Sequence, residues 1–121
     1  MMTKETAIHD NLKKWLIDIQ EMDTTITQRS LRNPYRVVKN NTAFKVLGME
    51  AAGHTLEQLL PVISGKNGLQ AYTTGDTQSA QITIGQVIGR IDSLKYIREV
   101  IEDIASEAEV VLKRINNAME K

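Results

Sequence analysis

The feature that most constrains this chain is a stripe of apolar residues in its last third. Val87, Ile91, Leu94, Ile101, Ala105, Ala108, Leu112 and Ile115 recur in alternating steps of four and three, with Arg98 the one intruder. That spacing puts them on one side of an α-helix, and Ile88, Ile97, Ile104 and Val111 widen the side into a broad apolar face. It predicts one long helix that starts at Ser79 or Gly89 and ends near Met119. At 1.5 Å per residue, a helix of about 30 to 40 residues would run about 45 to 60 Å, longer than a domain of this size is wide. Part of the stripe is then left for another polypeptide, so the chain is expected to form a homo-oligomer through this helix.

A second stripe lies at the other end. Ile8, Leu12, Trp15, Ile19, Met22 and Ile26 keep the same alternation and predict a helix over residues 4–27, weakened at its end by Thr24, Thr25 and Thr27, whose branched Cβ restricts χ1. Only 4% of the residues are aromatic, so aliphatic side chains must fill the core, which favours helix packing over a β-sandwich. The expected fold is therefore mainly α. The N-terminal and long C-terminal helices pack as a bundle or coiled-coil-like hairpin, and residues 1–121 form a single helical domain.

Between the stripes the signals are local. Asn33-Pro34 breaks the first helix, Asn40 to Thr42 offers an N-cap for a helix to Ala52, and Gly53 can end it in a left-handed conformation. Thr55 with Gln58 forms a capping box that starts a short helix through Leu60, perturbed by Pro61. Ser64 to Gly68 reads as a turn. Residues 69–84 have two readings. Two arms rich in strand formers around Gly75-Asp76 describe a small β-hairpin; alternatively the long helix begins at Thr77 with Asp76 as N-cap, and Gly85 and Gly89 mark a tight backbone crossing.

Charge is balanced, 15 basic against 15 acidic residues, so no whole-molecule field draws the protein onto nucleic acid or an anionic membrane. The balance is uneven along the chain. No acid lies between Asp23 and Glu50, where Arg29, Arg32, Arg36, Lys39 and Lys45 are found, whereas residues 91–112 carry six acids and two bases. Arginine's planar fork matches phosphate oxygens, so Arg29, Arg32, Tyr35, Arg36 and Lys39 are the candidate ligand-binding set. The plainer reading docks this segment on the acidic helix of its own chain or of a neighbour.

Several chemistries find no support. The chain has no cysteine, which excludes disulfides, thiolate catalysis and cysteine-based metal sites, and fits a reducing compartment; a cytoplasmic location is expected. No apolar run approaches the roughly 20 residues needed to span a bilayer. His9 and His54 are too far apart for a metal motif. Ser64, Ser79 and the threonines at 73 and 74 sit in no nucleophile elbow, and Gly65-Lys66-Asn67-Gly68 lacks the length of a P-loop.

The expected function is that of a non-catalytic, homo-oligomeric interaction or adaptor protein without a cofactor. One alternative is a sponge-like binding module for an anionic ligand, a nucleotide signal or a nucleic-acid backbone, at the basic segment. Another is a metal-dependent all-α nucleotide pyrophosphohydrolase, in which Asp18 and Glu21 on the first helix and Glu99, Glu102, Asp103 and Glu107 on the last would hold magnesium. Acids three or four apart are ordinary on any solvated helical face, which weighs against it.

Overall fold

Asn40 shows how local chemistry sets this fold. In a computed structural model, which describes residues 2–120, its side-chain oxygen accepts from the Ala43 N–H at 2.9 Å and so starts helix α2, Asn41–Ala51. Its amide donates to the carbonyls of Thr77 and Ala80 at 2.7 and 2.8 Å, pinning a distant loop to the same point. Gly53 follows with φ +76°, the left-handed exit expected of it. The Thr55–Gln58 capping box opens α3, which runs Leu56–Ile63 through Pro61.

Helical turns take in 57% of the residues, and a two-stranded antiparallel sheet accompanies them. Helix α1 is Asp10–Ile17, strand β1 is Thr24–Thr27 and strand β2 is Tyr35–Val38, paired Thr24 to Val38 through Thr27 to Tyr35. Helix α4, Gly65–Thr74, follows α3 directly, and α5, Ile97–Met119, closes the order. No helix among the described residues is long and apolar enough to cross a membrane.

Four expectations are corrected. The first stripe does not make one helix to Thr27: α1 ends at Ile17, and Thr24 to Thr27 form β1, because three β-branched threonines gain more from pairing with β2 than from helical turns. The segment Ser64 to Gly68 is not a turn but the start of α4, with Ser64 as its N-cap and Gly75 in the left-handed conformation at its end. No hairpin forms over 69–84. Its first arm is helical, and the hydroxyls of Thr73 and Thr74 bond back to the carbonyls of Leu69 and Gln70; its second arm pairs instead with β2, through a Val37–Thr83 bridge and the Val38 N–H to Ile82 carbonyl bond.

The long helix likewise begins at Ile97, not at Ser79 or Gly89. Residues 86–90 make a 3-10 turn in which Gly89 passes so close to another backbone that a Cβ there would lie 2.8 Å from the Glu21 nitrogen. A tight crossing thus exists at Gly89 without the helix on which it was expected, and not at Gly85.

The chain divides into two compact units, Ala7–Ser93 and Met1–Thr6 with Leu94–Lys121. In the first, Leu12, Leu16, Val37, Val38, Ala43, Val46, Leu59, Ala71, Ile82 and Ile88 are fully buried and make the core. In the second, α5 starts with its free amides satisfied by carboxylates: Ile97 N–H donates to Glu5 and Tyr96 N–H to Glu99. The Lys4 ammonium sits 4.2 Å over the Tyr96 ring, and Lys4 N–H donates to the Lys95 carbonyl. Beyond this start α5 buries nothing. Ile101, Ile104 and Leu112 are 62, 64 and 60% exposed, and Val111, Ile115 and Met119 are exposed with them.

Candidate functional site

The candidate set is ordered by the loop between β1 and β2. Residues 29–32 form a turn in which the Arg32 N–H donates to the Arg29 carbonyl at 3.0 Å, which brings the two arginine Cα atoms within about 7 Å of each other. The Asn33 N–H reaches the Gln28 carbonyl. Gln28 and Arg32 hold φ +61° and +55°, a left-handed region costly for residues with a Cβ other than Asn and Asp.

What holds the loop in this shape is Glu50, near the end of α2. Its carboxylate accepts from the Gln28 N–H at 2.8 Å, from the Ser30 N–H at 2.9 Å and from the Ser30 hydroxyl at 2.7 Å. Burial pushes the Glu50 pKa up, but the bonds from Ser30, Gln28 and Arg29 outweigh it, and the net result is a pKa below the ordinary carboxylate value. On the other flank the Gln28 amide donates to Gln81, Gln81 donates to the Thr27 hydroxyl, both at 2.8 Å, and Thr27 donates to the Tyr35 carbonyl. The loop is thus tied to α2 on one side and to the segment beside β2 on the other.

The predicted residues fall into two groups. Arg29 and Arg32 are exposed at the two ends of the turn, and among the described residues neither guanidinium meets a carboxylate. Arg36, on β2, is half-buried and donates to the Thr24 hydroxyl at 2.8 Å; Lys39 donates through its ammonium to the Met22 carbonyl at 2.7 Å. Both brace the strand pair. Tyr35 precedes Arg36 on the strand and so projects to the opposite face. There it lines a cleft of about 150 Å³ with Tyr72, Ser64, Gly68, Gln81 and Thr83. Burial and the neighbouring Tyr35 raise the Tyr72 pKa. A wider cleft of about 380 Å³ lies between Gln20, Glu21, Gln86, Val87 and Arg90.

Sequence reasoning missed Glu50, Gln28 and Gln81. Glu50 carried a signal, as the carboxylate that closes the acid-free stretch; the two glutamines carried none. His9 caps α1, its ring nitrogen accepting from the Asn11 N–H, and His54 bonds the Met49 carbonyl. Asp18 and Glu21 do not share a helix, because α1 ends at Ile17, so their spacing does not put them on one helical face. In the other unit Glu99 caps α5, while Glu102 and Asp103 pair with Arg98 and Lys95. Among the described residues no group of three or more His, Asp or Glu is placed to hold a metal ion.

No family model matches the chain. Its fold is found in solved structures. It superimposes on FabK from Thermotoga maritima with a TM-score of 0.86 at 26% identity, over 96% of this chain and 36% of that one. A methionine-to-alanine mutant of the same FabK gives 0.74 at 22% identity, over 96% and 33%. The chain therefore spans about a third of the length of the FabK chains it matches.

Proposed function

We propose that this chain is a helical, non-catalytic portion of a FabK-like enzyme and that the apolar face of α5 docks on the remainder of that enzyme. The observation that carries the reading is the exposed stripe itself. Ile97, Ile101, Ile104, Val111 and Ile115 leave enough apolar surface in water to require a cover. The likeness to FabK supports a particular cover: the matched region is a third of a larger protein, and a portion of an enzyme is expected to have a face built for the rest. FabK is an enoyl-ACP reductase, and that activity would belong to the assembled protein. A cytoplasmic location is part of the same reading, in keeping with a cysteine-free chain.

The test is native mass spectrometry of the protein purified without denaturation from its own source, with sequencing of any second component. A complex with a FabK-like polypeptide that reduces an enoyl-ACP, and that is lost on joint replacement of Ile104→Asp and Leu112→Asp, is the expected result. A monomer at all concentrations would overturn the reading.

A second reading is favoured by the spacing within α5. Ile97, Ile101, Ile104, Ala108, Val111 and Ile115 keep strict four-three steps, the seam of a coiled coil, so two or more copies of this chain could cover one another. A complex of identical copies, dissociated by the same two substitutions, is its signature.

A further inference from the structure

We infer that the Arg29–Arg32 turn is a preset loop for a phosphate-bearing small molecule, with Glu50 as the residue that positions it. The inference concerns the Ala7–Ser93 unit and does not rest on what covers α5. Three observations carry it. The turn brings the Cα atoms of Arg29 and Arg32 within about 7 Å of each other, with both residues exposed and without carboxylate partners among the described residues, on a stretch with no acid from Thr24 to Met49. Planar guanidinium forks match phosphoryl oxygens, and two of them on one turn suit a group that offers oxygens to both.

The backbone is held where neither residue would go unaided. Gln28 and Arg32 are the described non-glycine residues with positive φ, and they bracket the turn. Strain of this kind persists only where the surroundings over-determine it, and it collects at ligand-holding loops. Here the surroundings are the Glu50 carboxylate on one side and the Gln28–Gln81–Thr27 chain on the other.

The carboxylate bonded to the loop, Glu50, is used inward. Glu50 accepts three bonds from the loop's own N–H and O–H groups, so its charge fixes the turn instead of pairing with Arg29 or Arg32. This arrangement separates positioning from simple electrostatics. Removing a negative charge beside two arginines would by itself strengthen anion binding; if the charge is what shapes the turn, its removal weakens binding instead.

The experiment is a titration of the whole protein with inorganic pyrophosphate at constant ionic strength, followed by backbone amide and arginine Nε–H resonances. Saturable shifts over residues 28–33 are expected, while Leu12 and Leu16 in the core stay still. The Arg29→Ala, Arg32→Ala double variant should bind at least tenfold more weakly, and Glu50→Gln several-fold more weakly despite the lost negative charge. Because Glu50→Gln also loosens the loop's attachment, Arg29→Lys with Arg32→Lys is the second variant; it keeps both charges and every Glu50 bond, and loses at least fivefold if the forks matter. Absence of saturation, tighter binding by Glu50→Gln, or unchanged binding by the lysine variant would overturn the inference.

Discussion

The two units of this chain solve the problem of apolar surface in opposite ways. In Ala7–Ser93 ten aliphatic side chains from helices, strands and connecting segments are fully buried, and distant polar groups such as Asn40 and Glu50 tie loops to that core. In the other unit a 23-residue helix carries an equally regular apolar face and leaves it in solvent. Apolar side chains are therefore gathered into a core in one unit and left exposed in the other. What decides is whether another element of the same unit packs on them.

The sharpest way to break this comparison is to truncate one side chain from each unit. Leu59→Ala, in the core, should cost about 3 kcal/mol by loss of burial plus the cavity left behind, and Ile104→Ala, on exposed α5, less than about 0.5 kcal/mol. Urea unfolding at low concentration measures both; equal costs would mean that the α5 face is already covered.

Glu50→Gln comes next. Replacing an anion that accepts three hydrogen bonds should cost about 2 kcal/mol near neutral pH. It should also change the acid limb of stability. Folding lowers the Glu50 pKa below its ordinary 4.5, so its contribution is complete above that pH and is lost as pH falls through the folded value. The wild-type protein should lose stability in that window more steeply than Glu50→Gln, which has no proton to take up at that position.

The smallest effect belongs to the helix surface. Arg98→Ala removes an exposed i, i+4 pair with Glu102 and should cost about 0.3 kcal/mol, fading with added salt. A loss several times larger would mean that Arg98, the intruder in the stripe, has a second partner besides Glu102.

How much of this was legible depended on how local the cause was. The Asn40 cap, the Gly53 exit and the Thr55–Gln58 box are set by residues within a few positions of one another, and each is found where the sequence puts it. The apolar face of α5 was legible for the same reason, since 3.6-residue periodicity needs no knowledge of the rest of the chain.

The failures are places where a distant partner outvotes the local pattern. Ile19, Met22 and Ile26 have helical spacing, yet β1 forms because β2 lies beside it. Thr73 and Thr74 are a local exception: they look like strand residues, yet their hydroxyls find carbonyls four residues back in α4. Of the candidate site, the basic residues were legible as charge, but their division into a braced pair, Arg36 and Lys39, and an exposed pair, Arg29 and Arg32, was not, because it follows from strand register and from one carboxylate eighteen or more residues away along the chain.

Hydrogen exchange read by mass spectrometry tests the exposure of α5 most directly. In dilute purified protein, peptides from Ile97–Met119 should exchange far faster than those containing Val37, Val38 and Leu59, and should slow when the chain enters a complex. Exchange of α5 as slow as that of the core, in a sample that sediments as a monomer at every concentration, would contradict it.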